Sequence, residues 1–359
     1  SLIIFSVTSA GNTAFNHFTL LADSFLHGKI YIEGDMPWLE KIPIDSTKFF
    51  VANPPMPAVV ALIPVIIFGK DTPQQQISFV LGSLVIAITF LLSSKIKNSI
   101  KLAVWSSVLI GFGTLNWYLI TVGSTWYFAQ TTAQLFLLMS IYSLFTKNGS
   151  LLTGLFLGFA YFSRIPTILT LPFFLINLPK PYFKNTILLL LGIAPSILAN
   201  FLYNYVRFGV IWDIGYTMIP GVSTEPWYRY GIINPVYIVE HLKIIFLSLP
   251  GSINPTLSGY AIWFTTPAFV FALFNKINEK IVWSSWLSIF LISLLIFSHG
   301  STGFSQFGYR FAADFYPILI FLTIKSVANY NEPKWYHWIL LFIGVLVNFW
   351  GVMMLNIIR

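Results

Sequence analysis

Apolar residues in this chain come in long unbroken runs, and polar residues collect in the short stretches between them. Runs of roughly 17 to 25 residues recur from one end to the other, each long enough to cross hydrocarbon as a helix. Alternation with period two is absent, which argues against a transmembrane barrel. The pattern predicts about eleven spans: Leu2 to about Ala14, then 77–92, 102–122, 125–146, 150–163, 165–179, 185–206, 259–275, 281–298, 309–328 and 336–356. The two spans around Arg164 are short and read as a half-deep hairpin. The chain starts at Ser1 inside an apolar stretch, which predicts a first helix cut short at its N-terminus.

Two longer polar regions break this rhythm. The first, about 15–75, holds Glu33, Asp35, Glu40 and Asp45 and is the most acidic stretch of the chain. Within it, Phe15 to Gly28 places Phe15, Phe18, Leu21, Ala22, Phe25 and Leu26 on one helical face and Asn16, Asp23 and His27 on the other. That is the pattern of a helix lying in the membrane interface. Pro54 to Gly69 is apolar but short and contains Pro54, Pro55, Pro57 and Pro64. Proline removes backbone donors that lipid cannot replace, so this segment is expected to be interfacial or re-entrant. The second large polar region spans about 208–258, with a further interfacial helix expected over Pro235–Leu249.

Charge gives the topology. If Pro54–Gly69 does not cross, Lys95, Lys97, Lys101, Lys147, Lys180, Lys184, Lys276, Lys280, Lys325 and Lys334 all fall on the cytoplasmic side, and nearly every acid falls outside. Composition agrees with a membrane class: 56% of residues are hydrophobic and 9% charged, against about 25% charged in soluble domains. The net charge of +8 sits in short loops and not in basic runs interleaved with aromatics, so nucleic acid is not an expected partner. The chain has no cysteine, which excludes disulfides and thiolate chemistry. The fold class expected is a single all-α, polytopic membrane helix bundle over residues 1–359, with no separate soluble domain.

Three constellations hold polar groups that span formation does not require. The first is the outer loop with Asn16, His17, Asp23, His27, Asp35 and Asp45, whose carboxylates and imidazoles suit general-base work or a divalent metal; the alternative is an ordinary solvated loop. The second is Tyr203-Asn204-Tyr205-Val206-Arg207-Phe208-Gly209, with Asp213 and Tyr216 soon after; the alternative is an arginine snorkelling among interfacial aromatics. In the third, Gln306, Arg310 and Asp314 are spaced to share one helical face. It reads either as an arginine clamp for a phosphate or as a structural Arg310–Asp314 pair. No phosphate-binding glycine loop, nucleophile elbow or zinc-protease motif is present.

Several segments together resemble the GT-C superfamily of membrane glycosyltransferases. Lys48-Phe49-Phe50-Val51-Ala52-Asn53-Pro54-Pro55-Met56-Pro57-Ala58, running to Phe68-Gly69, resembles the aromatic, Pro-Pro, apolar, Phe-Gly segment of that family's first outer loop. Leu21-Ala22-Asp23-Ser24-Phe25-Leu26-His27-Gly28 resembles the helix before it. Tyr203-Asn204 with Arg207-Phe208-Gly209, Gln306-Phe307-Gly308-Tyr309-Arg310, and Gly154–Pro166 with Ser163-Arg164 are similar to further motifs of bacterial members. Protein O-mannosyltransferases and lipid A aminoarabinose transferases are members, and the chain resembles an uncharacterised bacterial branch of that group.

The resemblance implies a GT-C-like bundle with two interfacial helices in the first outer loop. It implies transfer of sugar from a polyprenyl-phosphate donor to a hydroxyl acceptor, a lipid, a glycan (polysaccharide) or a protein, at the outward face of the plasma membrane of a bacterium. Family members carry an Asp-Glu pair where this chain has Asn16-His17. The base would then be Asp45, Asp23 or His17, in that order, with Asp35 a further candidate; otherwise transfer activity has been lost. Arg310 is the first choice for the donor phosphate and Arg207 the second, with Gln306 and Tyr309 beside Arg310. No cofactor is implied with certainty. The rival functions are a flippase or transporter for a lipid-linked sugar, and a polysaccharide polymerase or ligase.

Overall fold

The computed structural model describes residues 1–34, 36–250, 259–304 and 306–357, so Asp35 lies outside the described residues. The molecule is a helical bundle. Its first half runs α1 (Leu2–Val7), α2 (His17–Leu26), α3 (Met56–Phe68), α4 (Gln74–Ile96), α5 (Ile100–Phe112), α6 (Asn116–Val122), α7 (Thr125–Leu144) and α8 (Ser150–Tyr161). The second half runs α9 (Leu171–Asn177), α10 (Tyr182–Phe208), α11 (Ile238–Leu247), α12 (Ile262–Thr265), α13 (Lys280–Phe297), α14 (Tyr316–Ala328) and α15 (Trp335–Val352). Among the described residues, four helices are long and apolar enough to cross a membrane: α4, α10, α13, and α15 with its π-helical extension to Ile357. The pair α5 and α6, bent by 54° at its break, makes a fifth if it counts as one span.

Several expected spans are broken. The run 165–179 is a 3-10 segment, Ile165–Thr170, followed by the short α9. The run 259–275 is α12 followed by a 3-10 segment, Pro267–Phe274. The run 309–328 splits into a 3-10 turn, Arg310–Asp314, and α14. Proline stands near the start of each of these second pieces or of the 3-10 turn before it (Pro166, Pro267, Pro317), where its missing N–H costs nothing but a continuous helix cannot pass through. Gln306, Arg310 and Asp314 therefore do not share one α-helical face, because residue 306 precedes the turn.

The first polar region folds as two helices, α2 and α3, packed on each other, with a small sheet between them in sequence. Its strands are β1 (Ile32–Glu33), β2 (Ile42–Pro43) and β3 (Lys48–Phe50), in the order β1-β3-β2 and antiparallel throughout. Ile32 pairs with Phe49, and Ile42 with Phe50. β-Branched and aromatic residues supply the pairing surface. Ile32, Ile42 and Phe49 are buried. This sheet ties the chain before β2, where Glu40 sits, to the chain after β3, which leads to Pro54.

Helix α8 packs on both α7 and α10. The crossing with α10 is built on small residues. A Cβ on Gly154 would come within 2.0 Å of the Leu189 carbonyl oxygen, and one on Gly192 within 2.3 Å of the Leu151 oxygen. Gly158 faces Ser196 in the same seam. Small residues four apart let two backbones approach where no hydrophobic force favours one apolar neighbour over another. The crossing fixes where α8 ends, and Arg164 follows directly.

The lysine-rich loops converge at one end of the bundle. Lys97 donates to Asn331 Oδ1 at 2.9 Å, Lys101 pairs with Glu332 at 2.7 Å, and Lys325 pairs with Glu279 at 2.6 Å. Lys280 lies over the Tyr182 ring, 5.6 Å from its centre. The first outer loop meets the other end, where Gln74 at the start of α4 donates to the carbonyls of Phe15 and Gly123.

Candidate active site

At the end away from the lysines, a cavity of about 1590 Å³ opens between the first outer loop, the start of α7, the end of α8 and the region 211–233. Four groups of side chains give it chemistry.

Glu40 reaches it from the loop before β2. Its Oε2 accepts a hydrogen bond from Trp126 Nε1 at 3.2 Å. Burial pushes the carboxyl pKa up, while the Trp126 donor and the Arg310 charge pull the other way. The backbone of Glu40 is pinned from below. His17 Nε2 lies 2.9 Å from the Glu40 carbonyl oxygen, which can only accept, so Nε2 carries the proton. The other ring nitrogen lies 2.7 Å from the Thr125 hydroxyl oxygen. Burial holds His17 at a pKa of about 4, so the ring is neutral at pH 7.

Arg310 opens the 3-10 turn, and Gln130 Nε2 holds its carbonyl at 2.9 Å. Its guanidinium sits among aromatic rings, 4.8 Å from Phe311, 5.6 Å from Tyr127 and 6.0 Å from Trp126. Its buried Nε has no hydrogen-bond partner among the described residues, and no carboxylate pairs with it there within the 4.0 Å limit of an ion pair. Asp314, one turn on, is committed elsewhere. Its two oxygens receive Arg164 Nε at 3.0 Å and Arg164 Nη2 at 2.6 Å, in a bidentate fork. The pair Arg310–Asp314 suggested by spacing is thus replaced by Arg164–Asp314, because the turn is too tight to bring the two side chains onto one face.

Asp213 lines the opposite wall. Burial raises its carboxyl pKa, and a hydrogen bond from the Gly215 amide at 2.9 Å works against that rise. A Cβ at Gly215 would lie 2.5 Å from the Ala52 oxygen, so glycine permits the close seating of this loop on the first one. The fourth group is Tyr216, Tyr228 and His299. The Tyr228 hydroxyl donates to Tyr216 at 3.1 Å. His299 Nδ1 donates to the Ser301 carbonyl at 2.9 Å, which leaves Nε2 unprotonated, 3.5 Å from the Tyr228 hydroxyl. Burial lowers the His299 pKa to about 4.

Of the residues singled out from sequence, Arg310 borders the cavity and His17 lies behind Glu40. Asp45 is exposed in the turn before β3, where it accepts from the amides of Thr47 and Lys48, both at 2.8 Å. Asp23 sits on α2 beside His27, at 3.9 Å, and does not border the cavity. Arg207 is buried behind the wall, donating to the Val51 carbonyl at 2.6 Å and to Asn204 Oδ1 at 2.8 Å, with Tyr203 stacked 3.8 Å away. It braces the segment that carries Ala52 and Asn53. Tyr309 points to His241, 2.5 Å from its Nδ1, and Gln306 donates to the Thr302 carbonyl at 2.8 Å. Asp213 and Tyr216 of the second constellation and Arg164 of the Ser163-Arg164 motif border it too, while Glu40, Trp126, Tyr228 and His299 border the cavity without having been selected. Nothing in the local sequence separates Glu40 from Glu33; only the contact with Trp126, 86 residues away, does so.

The fold is similar to that of solved membrane-protein structures at low sequence identity. In particular it is similar to ArnT from Cupriavidus metallidurans bound to undecaprenyl phosphate, with a TM-score of 0.55 and 12% identity over 96% of this chain. The apo state of the same protein superposes with a TM-score of 0.52 and 14% identity, also over 96% of this chain. The chain spans 61% and 60% of the length of those two structures. No protein-family model matches the chain, and no curated protein matches it in sequence.

Proposed function

We propose that this protein transfers a sugar from a polyprenyl-phosphate-linked donor to a hydroxyl acceptor, a lipid or a glycan, at the outward face of a bacterial plasma membrane. The reading rests above all on one observation: a buried carboxylate, Glu40, and Arg310, which has no carboxylate partner among the described residues, border the same cavity and act on each other electrostatically. The fold shared with a protein that binds undecaprenyl phosphate supports the donor class. About eleven spans with the lysine loops inside, by the positive-inside rule, would put the cavity outside.

In this mechanism Glu40 takes the proton of the acceptor hydroxyl. The oxygen attacks the anomeric carbon, the bond from that carbon to the phosphate oxygen breaks, and polyprenyl phosphate leaves with inversion. Charge growing on the leaving phosphate needs a preorganised cation in a water-poor site. Arg310 supplies it, since no carboxylate among the described residues pairs with its guanidinium. Arg164 is half committed to Asp314 and serves as a positioning group. Phe201, Ile211, Leu295 and Ile296 give the cavity an apolar side suited to the first isoprene units. Glu40 takes the base role expected of Asp45, Asp23 or His17, because among the described first-loop acids it alone borders the cavity.

The test is release of undecaprenyl phosphate from a panel of undecaprenyl-phosphate sugars by the protein in nanodiscs. Release should be lost in Arg310→Ala and in Glu40→Gln. Full turnover in both variants, or no release from any donor by folded protein, would overturn the assignment.

A further inference from the structure

A second, smaller cleft of about 310 Å³ lies beside the main cavity, and Trp227, Ser301 and Phe304 border both. The dividing wall is aromatic. The rings of Trp227 and Phe304 are 4.7 Å apart and stand 36% and 47% exposed. Across the cleft, Tyr230 and Tyr237 form a second aromatic pair with ring centres 6.1 Å apart. Two ionised groups stand at the rim. The guanidinium of Arg229 lies over the Tyr230 ring at 4.4 Å, and the Glu240 side chain is 57% exposed beside Lys243.

The backbone of the floor is already used. The Gly300 amide donates to Ile232 at 2.9 Å, and the Asn234 amide to Ser298 at 2.7 Å, as part of the bridge between Ile233 and His299. An extended peptide would need an unpaired strand edge here, and these bonds occupy it. What remains for a ligand is ring faces plus rim charges of both signs. A hexose matches both: one face of its ring is C–H, which suits aromatic surface, and its edge carries hydroxyls, which suit ionised hydrogen-bonding groups. Charges of opposite sign at the rim favour a neutral sugar over an anionic one.

We propose that this cleft is an acceptor subsite that binds a neutral sugar unit of a glycan chain, with the chain passing over the Trp227–Phe304 wall into the main cavity. The proposal rests on the transferase reading above and narrows it: the acceptor is an oligosaccharide.

The experiment measures binding without donor or turnover, so it stands apart from the transfer assay. Maltotriose, an α-1,6-linked mannotriose and N,N′,N″-triacetylchitotriose are titrated against the full chain in nanodiscs by saturation-transfer NMR, each beside its monosaccharide. At least one trisaccharide should bind about tenfold more tightly than its monosaccharide. That preference should vanish in Arg229→Ala combined with Glu240→Gln, with the thermal midpoint unchanged. Equal affinity for every trisaccharide and monosaccharide, no binding of any trisaccharide, or a preference untouched by the double substitution would overturn the subsite. Each of these last results is what rings serving only as membrane-interface anchors would give. A chain that transfers sugar yet fails this test keeps the transferase reading and loses the subsite alone.

Discussion

Arg164 and Asp314, 150 residues apart, form a two-bond fork at 3.0 and 2.6 Å, and the Asp314 side chain is fully buried. The fork joins the end of α8 to the turn that begins with Arg310, so it sets the position of the arginine that faces the cavity. Removing one partner of a buried pair leaves the other charge uncompensated, at a cost of about 3 to 5 kcal/mol. Asp314→Asn should therefore lower the thermal midpoint of the protein in nanodiscs sharply. Arg164→Lys should do the same in part, because an ammonium cannot reproduce the planar fork. Unchanged midpoints in both would show that the pair does not hold the turn.

Glu40 yields a pH prediction. In the proposed role of general base it would work only while ionised, so activity should fall as pH drops through its pKa. Burial raises that pKa, and the Trp126 hydrogen bond and the Arg310 charge counter it. Trp126→Phe removes a donor to the carboxylate without removing a charge, so the pKa should rise further and the acidic limb of the rate profile should move to higher pH. Glu40→Gln should lower kcat by about 10² to 10⁴, the usual range for a positioned base. An acidic limb that stays in place in Trp126→Phe would show that another group sets it.

His17 bears on stability. Its folded pKa is about 4 against 6.5 for an unperturbed ring, so the unfolded chain takes up the proton first as pH falls. The stability is complete above about pH 6.5, is lost progressively between about 6.5 and 4, and changes no further below that. The span corresponds to up to about 3 kcal/mol. His299 titrates over the same window. Thermal midpoints taken from pH 7 to pH 4.5 should therefore fall in the parent protein and fall less steeply in His17→Gln. Parallel curves would place the acid sensitivity elsewhere.

Much of the frame was legible without coordinates. Helices are found over His17–Leu26 and Ile238–Leu247, inside the segments where helices were expected. The lysine loops that charge bias groups on one side do meet at one end of the bundle. The breaks in the runs 165–179, 259–275 and 309–328 were not read, although Pro166, Pro267 and Pro317 mark them. An apolar run reports affinity for lipid and is silent on whether its helix is continuous.

Selection within the acids failed for a different reason. Asp23, Glu33, Glu40 and Asp45 are equivalent as letters in a polar loop. Asp45 spends its acceptors on its own turn, Glu33 on Lys29, and Glu40 on Trp126 at the edge of a cavity. Likewise Arg207 and Arg310 both look like phosphate ligands, yet one is consumed by backbone oxygens and the other faces open space.

By itself, then, the sequence determined the class of molecule, a multi-pass helical membrane protein. Partition into lipid and the bias of lysines depend on each segment's own composition, so they can be read one segment at a time. The tertiary structure alone decided which acid and which arginine share the cavity. Hydrogen bonds and ion pairs act over a few ångströms, and around this cavity they join groups as far as 180 residues apart along the chain.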